Sequence, residues 1–485
     1  MEDILNIIPY NNRYAKSYLS LAKFISDDYH VEDVKQIAPI SNYLFYKEYG
    51  IKLNKSDAFE KIKSENLNIH TDNTIYKAIM YNDKETFISF TEKEGFDKDQ
   101  ILNNSLYPLL MHDFLGYSLL ELCCYLGAVD CFKFLRTKFN SLITDTCQEF
   151  SFLGGNQEIM NECLKIKEPN YQCMKYATIS HNIDFVTFLV NEYGFKIDLI
   201  CCGLYNNLES FLVYFDQTND VNRCFVYSTL FELPSLCEYF LSLGANINIM
   251  GEFGTGLHIA ARYNCVEIAE FLISHGAKIN KKKSEGGTPL HYAAQYNNKE
   301  IAEFLISHGA NINKKDDLGR TALHDAARFN SKEMAELLIS HGLNINEKDE
   351  HGQTPLHDAV LNNSKETAEF LLSHGANINE KYDEGRTVLH DAVMNNSKEM
   401  AELLISHGVN INEKDIYGYT PLHDSVKKNN FEMTELLVSH GVNINEKDKH
   451  GKTPLQYALK INHNIAELLI SHGANIKNAP KCVLI

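Results

Sequence analysis

The chain has 485 residues and a formal net charge of −18, from 46 basic and 64 acidic residues. An acidic balance of this size disfavours a nucleic-acid partner, because nucleic acids require a basic surface. The twelve cysteines have no regular spacing, so they do not indicate a disulfide framework in a chain this long.

These features predict a protein of a reducing compartment, cytoplasmic or nuclear. The first three residues include two acids and no basic segment, so we expect no secretory signal. The most apolar stretch, residues 117–135, contains three charged residues and is too polar to span a bilayer.

Residues 1–72 show no repeat. Helical periodicity predicts a helix from Tyr14 to Ile25 and a weaker one from Asp57 to Glu65. We interpret this segment as an N-terminal helical capping region, because the first unit of a repeat array would otherwise expose its apolar face to water.

Between residues 73 and 250 a helix-pair pattern recurs in divergent form. Its clearest example is Ser118–Cys124 followed by Asp130–Leu135. Related segments lie near residues 77–87, 149–160, 176–186, 206–215 and 224–243. The pattern predicts six helix pairs, and successive starts only about 25 to 28 residues apart leave no room for long hairpins between them.

From residue 251 to 474 the pattern becomes regular. A threonine recurs every 33 residues, which defines seven repeats, at Thr255, Thr288, Thr321, Thr354, Thr387, Thr420 and Thr453. A fixed period of this size is typical of stacked supersecondary units, each of which contacts only its neighbours.

The sequence of each repeat predicts two short helices. Thr288 and Pro289 suit the start of the first helix, because Thr is a good N-cap and Pro fits the first turn. The second helix is predicted from Lys299 to Ser307. An asparagine follows the first helix in every repeat, where we expect a positive φ: Asn264, Asn297, Asn330, Asn363, Asn396, Asn429 and Asn462.

The segment Thr288-Pro289-Leu290-His291-Tyr292-Ala293-Ala294, the second helix ending in Gly309-Ala310 and the 33-residue period resemble ankyrin repeats. The resemblance implies an all-α solenoid of helix-turn-helix units with β-hairpin loops in the C-terminal half. The layout of the whole chain also resembles the trichomonad-type ankyrin proteins, whose N-terminal half is a helical domain of unknown function.

The histidines favour a structural role. Sixteen of the twenty follow residue 250, and most keep the repeat period, one in the first helix and one closing the second. A metal requires several ligands around one point, so histidines spaced one repeat apart do not predict a metal site. No catalytic arrangement stands out from the repeat residues, and we expect neither enzyme activity nor a cofactor.

The resemblance implies that a partner protein binds at the hairpin tips and at the exposed end of the first helix. In the first three repeats that end carries aromatic residues and arginine, which are enriched at binding hot spots. The candidate partner-binding residues are Arg262, Tyr263, Tyr296, Arg328 and Phe329, with Tyr417 and Tyr419 at a hairpin tip. The alternative is that these rings only pack on one another.

The C-terminal tail, residues 475–485, ends in Cys482-Val483-Leu484-Ile485. This sequence resembles a prenylation box, with Cys482 as the lipidated residue. The alternative is that the tail covers the apolar end of the last repeat.

We therefore predict a non-catalytic, monomeric scaffold or adaptor that binds another protein on its concave face. The second hypothesis is a prenylated peripheral membrane adaptor, which would meet a membrane only through a lipid on Cys482. The third is a regulatory chain of an enzyme supplied by another protein.

Overall fold

The computed structural model describes most of the chain: residues 1–10, 15–31, 34, 37–54, 57, 59, 62, 74–102, 116–284 and 286–476. It divides into two compact units, Met1–Asp220 and Val221–Ile485. Paired short helices build the repeats of both units, as expected for the all-α solenoid.

The N-terminal region has a hydrophobic core of its own. Its helices are Glu2–Asn6, the 3-10 turn Ile8–Tyr10, Ala15–Tyr29 and Pro39–Tyr49. Leu5, Ile8 and Phe45 are fully buried in the core between them. The helix predicted from residue 14 to residue 25 is confirmed from residue 15 onwards, whereas the one predicted from residue 57 lies largely outside the described residues.

Six irregular helix pairs follow, and we number them pairs 1 to 6. Their bounds are Ile75–Met80 and Lys84–Thr91, Leu119–Leu126 and Val129–Lys138, Asp145–Leu153 and Gln157–Leu164, Tyr171–Ile179 and Ile183–Tyr193, Leu199–Leu204 and Leu208–Thr218, and Val221–Ser228 and Pro234–Ser242. The 3-10 turn Thr229–Phe231 joins the helices of pair 6.

The connection between pairs 1 and 2 is longer than the predicted spacing. Pair 1 starts at Ile75 and pair 2 at Leu119, so this step exceeds the expected 25 to 28 residues. Two short antiparallel strands, Ile101–Leu102 and Tyr117–Ser118, pair within it. The expected spacing of 25 to 28 residues is therefore wrong for this step, although the positions of both helix pairs were predicted.

The start of the chain contacts two of the pairs in the first unit. The Tyr125 hydroxyl in pair 2 donates to the carbonyl of Pro9 at 3.1 Å. The hydroxyl of Tyr10 lies 3.1 Å from that of Tyr205, which follows the first helix of pair 5, and the two rings meet edge to face at 5.5 Å. Residues 9 and 10 therefore hold the second and fifth pairs to the N-terminal region.

The seven regular repeats each contain two helices, and we number them repeats 1 to 7. The first helices are Gly256–Tyr263, Pro289–Gln295, Ala322–Arg328, Pro355–Leu361, Val388–Met394, Pro421–Lys427 and Pro454–Ile461. The second helices are Val266–Ser274, Lys299–Ser307, Lys332–Ser340, Lys365–Ser373, Lys398–Ser406, Phe431–Ser439 and His463–Ser471.

The predicted threonine N-cap is confirmed. In repeat 5 the His390 Nδ1 atom accepts the backbone N–H of Thr387 at 3.2 Å and lies 2.9 Å from its hydroxyl. The same capping box occurs in all seven repeats, with Gln456 in place of histidine in repeat 7. It satisfies backbone N–H groups that the first turn of a helix leaves without partners.

The asparagine prediction is correct in six repeats and wrong in the seventh. Asn297, for example, has a φ of 56°, whereas Asn462 is extended with a φ of −155°. In repeat 7 the first helix ends at Ile461 and the second begins at His463, so a single residue joins them. Asn462 instead caps the second helix by accepting the N–H of Asn464 at 2.9 Å.

The loops between repeats are tight hairpin turns. In the loop before repeat 6 the Asp415 N–H donates to the carbonyl of Tyr419, and the Asp415 carbonyl accepts the N–H of Gly418, whose φ is 81°. From the loop before repeat 3 to the loop before repeat 7, each tip is joined to the next by a single backbone hydrogen bond, such as Lys449 N–H to Tyr417 O at 3.0 Å. In the described part of the second unit these loops form no extended strand, only an isolated bridge between two glycines at residues 251 and 254.

Candidate protein-binding surface

Arg262 lies at the centre of an aromatic cluster at the end of the first helix of repeat 1. Its guanidinium is 4.8 Å from the ring centroid of Tyr296, 5.0 Å from that of Phe253 and 5.5 Å from that of Tyr263. All four side chains are partly exposed. We call these four residues the aromatic–arginine cluster. Such cation–π contacts hold flat rings at a surface while leaving area free for a partner.

Tyr263 and Tyr296 pack on Arg262 rather than on each other. Tyr263 and Tyr296 both contact its guanidinium, whereas no ring-to-ring contact joins Tyr263, Tyr296 and Phe329 among the described residues. If Tyr263 and Tyr296 serve only in packing, they pack on the Arg262 guanidinium and not ring on ring.

Sequence reasoning missed Phe253, the fourth member of the cluster. It lies in the loop before repeat 1, outside the helix ends from which the candidates were drawn. A signal was available, because the six later repeats all have a glycine at the equivalent loop position, Gly286 being the first. A partly exposed phenylalanine in place of a turn glycine points to a use other than making the turn.

Arg328 and Phe329 occupy the corresponding end of the first helix in repeat 3. The Phe329 ring is 47% exposed, and Arg328 is exposed as well. Arg328 lies within electrostatic reach of Asp325 and Asp358. The structure therefore leaves Phe329 available to a partner and places Arg328 beside acidic groups.

The two tip tyrosines belong to a second patch, in repeats 6 and 7. The Tyr417 ring is 49% exposed and lies 6.3 Å from that of Tyr419. The Lys427 ammonium is 3.7 Å from the Tyr419 ring centroid. The Tyr419 and Tyr457 hydroxyls lie 3.5 Å apart. Tyr417 is thus the accessible member, while Tyr419 also helps to join two repeats.

The first-helix histidines are structural. Nδ1 of His390 accepts a backbone N–H, so the neutral ring carries its proton on Nε2, which donates to the carbonyl of Tyr419 at 3.2 Å. Burial lowers the pKa of His390 to about 4, so the ring is neutral at pH 7. His357 differs, because its Nε2 has no hydrogen-bond partner in the described structure.

Four aspartates occupy one slot of the first helix in repeats 3 to 6, directly after the histidine. We call them the carboxylate column: Asp325, Asp358, Asp391 and Asp424. Burial raises the pKa of the first two to about 7 and of the last two to about 6. Sequence reasoning missed them, although an acid recurring in an otherwise apolar short helix was a visible signal.

Clustered metal ligands, exposed cysteines and membrane-spanning helices are not found among the described residues. No group of three or more His, Cys, Asp or Glu side chains is placed to hold a metal within the described ranges. The eleven described cysteines are all buried, and Cys482 lies outside the described residues. No helix in the described part of the chain is long and apolar enough to cross a membrane.

The fold and these surfaces define a repeat protein of the kind that mediates protein–protein interactions. The family model for ankyrin repeats (3 copies) matches residues 226–316, 314–382 and 389–479, just over half of the chain. The chain therefore belongs to the ankyrin-repeat proteins. A domain of unknown function, DUF3447, matches residues 139–214.

Two solved structures are similar to parts of the chain. The ankyrin repeat domain of Bcl-3, a unique member of the IkappaB protein family, is 28% identical, with 44% of this chain and 97% of that chain covered and a TM-score of 0.41. The human ASB11 ankyrin repeat domain is 25% identical, with 45% of this chain and 98% of that chain covered and a TM-score of 0.41. Comparison with curated proteins gives no significant match.

Ankyrin repeats are typically non-enzymatic interaction modules, and the families matched indicate no catalytic activity. A protein partner is therefore the general expectation for this chain.

Proposed function

We propose that the chain is a non-catalytic scaffold that binds another protein on the concave face of repeats 1 to 3. The observation that carries the proposal is the aromatic–arginine cluster, with Arg262 between three partly exposed rings. Trp, Tyr and Arg contribute disproportionately to binding energy when a partner covers them.

Preorganisation supports the same proposal. The capping boxes and the bonds between loops fix the repeats before a partner arrives. The side chains of the cluster are already held by one another, so binding orders few additional rotamers.

The test compares two double variants of the full chain. Tyr263→Ala with Phe329→Ala removes two surface rings from the proposed face. Phe271→Ala with Phe431→Ala removes two rings from second helices, where Phe271 packs on His275 at 4.2 Å and Phe431 is 39% exposed. We expect partner capture, measured by affinity purification and mass spectrometry, to be lost only in the first double variant.

Thermal melts separate binding from packing. An unchanged melting temperature with lost capture supports the binding surface. A fall in melting temperature that accounts for the loss of capture would instead assign the rings to packing, and equal capture by both double variants would reject the proposed face.

A further inference from the structure

Two lysines lie over neighbouring tyrosine rings in repeats 6 and 7. The Lys427 ammonium is 3.7 Å from the ring centroid of Tyr419. The Lys452 ammonium is 5.5 Å from that of Tyr457, and the two tyrosine rings meet edge to face with centroids 6.2 Å apart. Tyr417 adjoins them, with its ring 6.3 Å from that of Tyr419. We call these five residues the tyrosine–lysine patch.

The patch is accessible from solvent. Both lysines are exposed, and the two rings beneath them are partly exposed. At the adjoining loop tip the side chains of Ile416 and Tyr417 are 47% and 49% exposed. The cation–π contacts hold each ammonium at a defined place above its ring. A ligand can therefore reach both charges from solvent and finds apolar area beside them.

The acids of the loop before repeat 7 are already engaged inside the protein. Asp448 accepts the Tyr457 hydroxyl at 2.6 Å and the backbone N–H of Lys452 at 2.8 Å. Glu446 forms an ion pair with Lys414 at 2.6 Å. By contrast, neither ammonium of the patch forms an ion pair with another described residue. The two positive charges are therefore available to acids from outside the chain.

Repeat 3 shows how the chain neutralises a cation in the same slot. Arg320, directly before the threonine, donates to Asp316 Oδ2 from Nε at 2.9 Å and from Nη2 at 2.7 Å. Four repeats later the equivalent residues are Lys452 and Asp448. There the Tyr457 hydroxyl donates to Asp448 Oδ2, and the Lys452 ammonium lies over the tyrosine ring instead. Repeat 7 therefore presents at its surface a cation that repeat 3 pairs internally.

We propose that the tyrosine–lysine patch binds an acidic segment of a partner protein, whose carboxylates pair with the two ammonium groups. The inference adds a second surface to the one proposed for repeats 1 to 3 and does not depend on it. Lysine acts as a compact point charge that pairs readily with a carboxylate. The exposed side chains of Ile416 and Tyr417 offer apolar contact to a neighbouring residue of the segment.

Local charge, rather than the net charge of −18, decides this contact. The Debye length is about 8 Å at physiological ionic strength, so exposed charges farther away are largely screened. Close to the patch the exposed charges include Lys427, Lys452 and the adjacent Lys428. A nucleic acid carries a phosphate charge at every nucleotide and requires a longer basic surface. The complementary ligand is therefore a short acidic segment.

The experiment measures binding of rhodamine-labelled octaglutamate to the full chain by fluorescence anisotropy at physiological ionic strength. The patch variant is Lys427→Gln with Lys452→Gln. The matched control is Lys332→Gln with Lys365→Gln, which changes two exposed lysines at the starts of second helices in repeats 3 and 4. Both variants change the net charge equally, so the non-specific effect of charge is the same in both.

We expect saturable octaglutamate binding, which the patch variant weakens by about fivefold to tenfold and the control by less than about twofold. All four lysines are surface residues, so both variants should melt close to the wild type and a loss of binding cannot come from unfolding. Equal weakening in both variants, unchanged binding by the patch variant, or no binding by the wild type would overturn the inference.

A second probe separates an acidic protein segment from a nucleic acid. A rhodamine-labelled thymidine octanucleotide carries a similar number of charges, on phosphates instead of carboxylates. We expect it to bind the wild type more weakly than octaglutamate does. Oligonucleotide binding that is as tight as octaglutamate binding, and that the patch variant weakens, would assign the patch to phosphate groups and overturn the inference.

Discussion

Replacing Asp358 by asparagine should stabilise the protein at neutral and alkaline pH. Asparagine has nearly the same shape as aspartate but no charge, so it removes the penalty for ionising a carboxyl that is 6% exposed. The change leaves the neighbouring Arg320 with its own partner, Asp316.

The magnitude of this stabilisation follows from the raised pKa of Asp358. Burial raises the pKa of Asp358 from 3.8 to about 7, and about three pKa units correspond to roughly 4 kcal/mol as an upper value. Because the pKa is higher in the folded protein, the folded state binds more protons than the unfolded state between these two values. Ionisation of Asp358 therefore lowers the stability of the wild type as the pH rises towards 7, and the asparagine variant lacks this contribution.

The assay is thermal and chemical unfolding of the full chain at several pH values, with Glu369→Gln as the control in the same repeat. The stabilisation by Asp358→Asn should grow from about pH 4 to about pH 7 and then level off. The control should change stability by less than about 0.5 kcal/mol. A pH-independent effect, or destabilisation at pH 8, would refute the reasoning about a buried unpaired charge.

Three further predictions concern the repeat framework. His390→Ala should cost about 1–2 kcal/mol of unfolding free energy, because the cap and the bond to the next loop are both lost; an unchanged denaturation midpoint would contradict this. Gly418→Ala should lower the free energy of unfolding by about 1–3 kcal/mol, because residue 418 has a φ of 81° and the added Cβ would lie 2.8 Å from the backbone nitrogen of Lys449. An unaltered melting curve would argue against this prediction. Asn379→Ala should cost about 1 kcal/mol by removing the 2.8 Å bond from Asn410 N–H, and hydrogen exchange at Asn410 should speed up.

The repeat framework could be predicted because its determinants are local. A threonine cap, a proline in the first turn and an asparagine with positive φ each act within a few residues, so they are visible in the sequence. Asn462 shows the limit of such a pattern. Shortening the connection between the helices of repeat 7 to a single residue eliminates the left-handed turn although the asparagine is retained.

The surfaces could be predicted only in part. The position of Tyr263 and Phe329 at helix ends follows from the period, but the central place of Arg262 depends on contacts between repeats. The contact of Tyr125 with Pro9 joins residues 116 positions apart, and no periodic pattern indicates it. Burial of the aspartates likewise depends on loops that the repeat period does not describe.

The most direct test of the account is site-specific photo-crosslinking from two faces of repeat 3. Benzoylphenylalanine would replace Phe329 at the end of the first helix in one protein and Glu336 on the exposed face of the second helix in another. The account predicts that the captured partner crosslinks from position 329 and not from position 336. Crosslinking from position 336 alone, or equally from both positions, would contradict recognition by the concave face.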